Sequence, residues 1–321
     1  MFQKQTRLHK RISDLVKSEA LEFTAPEVKR NISSLGVNLN GNIEHRHLTW
    51  TYDFDKISID HWPRRPKGDF DLIQTWYEND DTIVIFKPRN VVVEPGAGHR
   101  EDNLMTFLTE KYKRQFYLAH RIDKDTSGLL VLTKTPEQLE FIQNQFRTHK
   151  VTKKYLAVVK GLVTMTYHVT SWQGRDSGNP LRQKLYWSEK GALDIDPQAR
   201  QAVSIIKPLI ICPNSNLSLV EITIKTGRMH QIRLQCEALG FPLNGDAIYN
   251  RNTGFKKQLE LPSKSFFGIE QLKSMNSEEF IHLQIKVFGH DGYSLLANFI
   301  KFELNPGRFW EGEVFDLGLL N

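Results

Sequence analysis

The chain has 321 residues, 40% apolar and 25% charged, with 20 Gly and 13 Pro, which excludes collagen-like, low-complexity and disordered proteins. Lys and Arg (43) exceed Asp and Glu (37) by 6, a modest excess that permits a polyanionic partner without demanding one. No apolar run approaches the roughly 20 residues that span a bilayer, and MFQKQTRLHKRIS at the amino terminus has no stretch of signal-peptide length, so a cytoplasmic protein is expected. In chain order, residues 8–20 place Leu8, Ile12, Leu15 and Val16 on one helical face. A second helix begins at Ala25-Pro26 and Gly36 is placed to end it. Asn40-Gly41 supplies the positive φ of a tight hairpin, and YDFDKISID alternates like a further strand. The Pro- and Arg-containing stretch HWPRRPKGDF reads as a linker. The chain thus divides into a small α+β module, 1–66, and a larger domain, 67–321.

In the larger domain, LIQTWYENDDTIVIFKP predicts two strands around a polar turn, and 101–114 a helix with Leu104, Phe107 and Leu108 on its apolar side. Thr135-Pro136 starts another helix carrying Leu139, Ile142 and Phe146. Strands then dominate: KKYLAVVKG, the stretch from Thr166 to Trp172, the stretch from Ala202, and LSLVEITIKT. Residues 252–278 are polar and read as an insertion or long loop. The order predicts an α+β fold, a mixed and largely antiparallel sheet with flanking helices.

Three segments could carry chemistry. LAHRIDKDTSGLLVLTKT holds Arg121, Asp123, Asp125, Thr126, Ser127 and Gly128 in a polar turn ahead of an apolar strand. Asp123 there suits a nucleophile or general base, although Asp, Ser and Gly are also ordinary turn residues. KTGRMHQIRLQC crowds Arg228, His230, Gln231 and Arg233 at a strand-to-helix junction, where an arginine could bind phosphate, pair with a carboxylate or simply face solvent. In KKYLAVVKG, Tyr155 follows Lys153 and Lys154. Two cysteines, Cys212 and Cys236, with no His-Glu-x-x-His and no phosphate-cradling glycine loop, predict neither metal nor nucleotide cofactor.

Together these segments resemble the RluA family of pseudouridine synthases. The matching residues are His120, Arg121, Ile122, Asp123, Thr126, Ser127 and Gly128; then Lys153, Tyr155, Ala157, Val159 and Gly161; then Gly227, Arg228, His230, Gln231, Ile232 and Arg233. FKPRNVVVEPG resembles the family's Lys-Pro segment, and the likeness runs on through Gly245-Asp246 and Tyr249 to an expected carboxy-terminal strand near Ile281-His282-Leu283. Departures include Ile122 for Leu and Phe241 for His, and none removes a catalytic group. The resemblance implies the pseudouridine synthase fold and a cofactor-free isomerisation of uridine in RNA, with large-subunit ribosomal RNA favoured over transfer RNA. It makes Asp123 the catalytic carboxylate, Arg233 its partner and Tyr155 a stacking residue. It also makes Arg121, His120, Arg228, His230, Gln231, Lys153 and Lys154 contacts to RNA. The amino-terminal unit resembles a small ribosomal-protein RNA-binding module through Val37, Asn38, Leu39, Asn40 and Gly41. A monomer is expected. A non-catalytic RNA-binding protein and a nucleosidase or glycosidase are the competing readings.

Overall fold

The computed structural model describes residues 10–19, 28–29, 32–33, 36–46, 48–51, 55–59, 69–95, 102–176, 183–249, 273–288 and 293–316. The chain forms two compact units, one of residues 1–68 with 94–107 and the other of 69–93 with 108–321. In the first, the helix Ile12–Glu19 buries Ile12 and Val16 with Val28, Ile32 and Val37. Val37–Leu39 pairs with Asn42–Glu44 through the expected hairpin, with φ of 54° at Asn40 and 88° at Gly41, and also with Ile57–Ser58. The expected start of the second helix at Ala25-Pro26 lies outside the described residues.

The second unit is built on one twelve-stranded sheet. Its strands are β1 (Gln74–Glu78), β2 (Thr82–Lys87), β3 (Tyr117–Leu118), β4 (Ser127–Thr133), β5 (Thr152–Lys160), β6 (Tyr167–Arg175), β7 (Gln183–Tyr186), β8 (Arg200–Cys212), β9 (Leu217–Ile224), β10 (Lys273–Ser274), β11 (Leu295–Asn305) and β12 (Arg308–Glu313). The order across the sheet is β7-β6-β8-β9-β5-β11-β4-β2-β1, with β3, β10 and β12 appended to β4, β8 and β11. Among the described strands only β4 with β11 and β8 with β10 run parallel, so the mixed, largely antiparallel sheet agrees with the pattern of the sequence. Near-continuous apolar runs such as IVI in β2 and LLVL in β4 are buried because the centre of the sheet is covered.

Helix α1 (Pro136–Arg147) has Thr135 as its cap, whose hydroxyl accepts the Gln138 N–H, and Ile142 packs with Leu129, Val131, Ile300 and Phe302. Helix α2 (Gln231–Ala238) follows β9 and is buried from Gln231 through Cys236. Helix α3 (Ser277–Phe288) packs Phe280 and Val287 onto Leu156, Val158, Leu219 and Leu296.

That last helix corrects the strand expected at Ile281-His282-Leu283. IHLQI alternates like a strand over five residues, but Phe280, Gln284 and Val287 are the buried positions and recur at helical spacing. Asn276 and Glu279 close a reciprocal capping box, with Glu279 N–H donating to Asn276 at 2.9 Å and Asn276 N–H to Glu279 at 3.2 Å. No described helix is long and apolar enough to cross a membrane.

Candidate active site

The turn that carries Asp123 is held from below. Lys87, at the end of β2, is fully buried, and its ammonium donates to the carbonyls of Pro88 (2.8 Å), Val91 (3.0 Å) and Lys124 (3.0 Å). Burial pushes its pKa down to about 7 against the pull of Asp125 and Asp123. Thr126 N–H returns to the Asp123 carbonyl at 3.1 Å, closing the turn. The chain then enters β4 through Gly128, whose φ is +119° and which lies so close to the Ala297 backbone that a side chain would overlap it.

On the neighbouring strand, Tyr155 sits at a bulge in the pairing of β5 with β11, opposite Ala297. Its phenol is buried, and burial together with Asp123 raises its pKa, so the ring is neutral at physiological pH. Across from the Asp123 turn, α2 begins at His230, which adopts the left-handed conformation with φ of 57°. Arg233, one turn into the helix, places Nη1 3.6 Å from Asp123 Oδ2, and His230 Nε2 lies 3.9 Å from the same oxygen. Asp123, Tyr155, Arg228, His230 and Arg233 thus face one open cleft.

Arg233 is fixed before any ligand arrives. Its Nε and Nη2 form a bidentate pair with Asp246 at 2.7 and 2.8 Å, and Asp246 also accepts the Ile248 and Tyr249 N–H groups. The guanidinium lies between the Tyr249 and Tyr293 rings, 5.2 and 5.5 Å from their centroids. Burial opposes both charges of the pair, yet Asp246 holds Arg233 above its ordinary pKa and Arg233 holds Asp246 below. Tyr249 further ties the site together, its hydroxyl 3.0 Å from His230 Nδ1 while it accepts the Gln183 N–H at 2.7 Å. Burial lowers the pKa of His230, so it is neutral near pH 7.

Three residues expected to touch RNA are engaged within the protein. Gln231 is 3% exposed; its carbonyl accepts from Thr226 and the Arg228 N–H, and its amide donates to Val203 and Ser204, which pins α2 to β8. His120 stacks on Phe146 and its Nε2 accepts the Val131 N–H at 3.1 Å; burial, then the charge of Lys153, drive its pKa down to about 3, so it is a neutral structural histidine. Lys154 is turned away from the cleft, its ammonium 3.3 Å from Glu221, because neighbours on a strand face opposite sides. Arg121 and Arg228 do line the cleft. Lys153 lies beside Gly227 at the same rim, where a Cβ on that glycine would stand 3.5 Å from its ammonium. The parts missed from the sequence are the roles of Lys87, Asp246, Tyr249 and Tyr293. Among the described residues no group of three or more His, Cys, Asp or Glu is placed to hold a metal.

Residues 81–238 match the family model of RNA pseudouridylate synthases. That stretch carries the family's pattern. The matched span includes Asp123, Tyr155, Arg228, His230 and Arg233, whereas Asp246, Tyr249 and Tyr293 lie beyond it. Over 185 residues the chain is 34% identical to the ribosomal large subunit pseudouridine synthase D of Zymomonas mobilis, covering 55% of each protein, so it spans about half the length of that relative. A protein of the same name from Buchnera aphidicola subsp. Baizongia pistaciae is 28% identical over 263 residues, 79% of each. Among solved structures, human RNA pseudouridylate synthase domain containing 1 superimposes with a TM-score of 0.55 at 20% identity, over 79% of this chain and 88% of that one, a likeness of fold. The small amino-terminal sheet is present, and its kinship to a ribosomal-protein module is not established by these likenesses.

Proposed function

We propose that this chain is an RNA pseudouridine synthase that isomerises uridine in large-subunit ribosomal RNA. The observation that carries the reading is Asp123 with its carboxylate 3.6 Å from a pre-fixed Arg233, facing a cleft that Tyr155 also lines. The reaction breaks the bond from ribose C1′ to uracil N1, turns the base, and joins C1′ to C5. The C5 proton leaves and a proton is taken up at N1, so the product has the mass of the substrate and no redox partner is needed.

Asp123 acts on the sugar, either by attacking C1′ or by removing a ribose proton; both routes use its carboxylate, which stands beside Arg233. The neutral Tyr155 ring provides a flat apolar surface on which the uracil stacks as it turns. Its phenol is too weak an acid to serve as a phenolate base, so the proton from C5 passes to another acceptor or through the hydroxyl in a concerted step. Uracil inside a helix is out of reach, so the target is unpaired or everted at a cost of a few kcal/mol, with Arg121 beside the vacated position and Arg228 and Lys153 at flanking phosphates. The ribosomal RNA assignment follows the relatives named synthase D; transfer RNA is the alternative substrate.

A hydrolase acting on the glycosidic bond would commonly use two carboxylates across that bond, and Asp125 is the one other acid in the 118–128 segment. Product analysis on a ribosomal RNA transcript separates the readings. A mass-neutral isomer supports the synthase; free uracil, or unchanged RNA that stays bound, contradicts it.

A further inference from the structure

The basic residues on and beside the large sheet differ in their partners. Lys154, Lys134 and Lys301 are each paired with a glutamate, at 3.3, 2.6 and 2.6 Å. Lys153, Arg228 and Arg200 differ: among the described residues none has a carboxylate within 4.0 Å. They are also neighbours. Lys153 packs over the Phe146 ring and against Gly227, next to Arg228. Arg228 reaches across the start of β8 and donates Nε to the Gln201 carbonyl at 2.8 Å, and Arg200 is the preceding residue of that strand, exposed, with Nη1 on the Ala199 carbonyl at 3.0 Å.

The three feel one another. Burial and then the charge of Arg228 push Lys153 down to about 8, while burial and then Arg200 lower Arg228. The nearby acid, Asp196, accepts the N–H groups of Arg175 and Gln198, each at 2.8 Å, and feels the charge of Arg200 without forming an ion pair with it. Like charges held close together weaken the fold, and a polyanion laid along them reduces the repulsion. Phe146 and the backbone carbonyls orient the cations without neutralising them, which leaves their charge for a ligand.

We propose that Lys153, Arg228 and Arg200 form a track for successive phosphates of a bound RNA strand, leading from the Asp123 cleft over the first residues of β8, with Arg200 as its outer end. The inference rests on the proposed function for the identity of the strand and adds to it a direction of exit and a residue that no motif contains.

The test is fluorescence anisotropy on the full chain with a labelled oligouridylate of about twelve nucleotides, across about 50 to 200 mM salt. Arg200→Gln should weaken binding several-fold at the lower salt and shallow the slope of log K against log salt by about 0.7, one single-strand phosphate contact. Arg200→Lys, which keeps the charge, should restore most of the slope. Lys301→Gln, an equal loss of charge at a lysine already paired with Glu311, should leave it unchanged. Equal slopes for Arg200→Gln and wild type, equal effects of Arg200→Gln and Lys301→Gln, or no binding by wild type would each overturn the track. The assay needs no turnover, so a chain that binds through Arg200 but forms no isomer would overturn the proposed function alone.

Discussion

Replacing Arg233 by Met separates its two duties. In the folded protein its guanidinium satisfies Asp246, whose side chain is fully buried, and stands 3.6 Å from Asp123. The substitution leaves Asp246 as a buried carboxylate with only the Ile248 and Tyr249 N–H groups for support. Breaking a buried pair in this way costs about 3–5 kcal/mol, and the two remaining donors place the expectation near the lower figure, about 3 kcal/mol at pH 7. The sign with pH follows from protonation. In the wild type Arg233 keeps the Asp246 pKa below that of the unfolded chain, so this contribution is present above the unfolded pKa and fades as pH falls through the folded value. In the variant burial is no longer offset and Asp246 takes up a proton more readily, which relieves it; the gap between the two proteins therefore narrows on acidification. Asp246→Leu in the same chain should return part of the lost stability, because it removes the stranded charge. It should not return activity. At an effective dielectric near 20 an opposite charge at this distance is worth about 4 kcal/mol, which if felt mainly in the reacting state is about a thousandfold in rate. Urea denaturation at several pH values, with single-turnover rates on the same samples, reads both effects. A stability loss for Arg233→Met under about 1 kcal/mol, well below the buried-pair range, or recovery of the rate in the double variant, would refute the reasoning.

Lys87→Met removes the ammonium under the Asp123 turn and strands three carbonyls. Bonds from a charged donor are worth about 1.5–3 kcal/mol each, offset by several kcal/mol for the desolvation no longer needed. A net loss of about 2–4 kcal/mol is expected from that balance, visible as a lower thermal midpoint, and an unchanged midpoint contradicts the clamp. Gly128→Ala places a Cβ against the Ala297 backbone at φ of +119°; strain of about 1–3 kcal/mol plus overlap of similar size should sharply lower the yield of folded protein. Wild-type stability in a denaturant titration would show that the β4–β11 approach is looser than described.

Much of this architecture is visible in the sequence because the signals are local. Apolar runs give the central strands, Asn40-Gly41 gives its hairpin, and Thr135-Pro136 gives the start of α1. The crowding of Arg228, His230 and Arg233 at a strand-to-helix junction likewise puts them together in space. What resists reading is long-range. Nothing in NGDAIY distinguishes Asp246, buried under Arg233, from a surface turn acid, and nothing beside Lys87 announces that its three protons are spent on carbonyls from two segments. Two placements had readable signals. The period of two separates Lys153 from Lys154, and Asn276 with Glu279 has the spacing of a capping box before α3. Gln231 is subtler: a polar residue at a helix start suggests solvent, but α2 is buried from Gln231 through Cys236, so its amide bonds inward.

The proposed reaction turns on the carboxylate of Asp123. Asp123→Asn keeps the size of the side chain and the turn around it while removing the charge that faces Arg233. With ribosomal RNA carrying uridine tritiated at C5, wild type should release tritium and the variant should release none above background, while both bind the RNA with similar affinity. Tritium release by the variant at a rate near that of wild type would contradict the central claim.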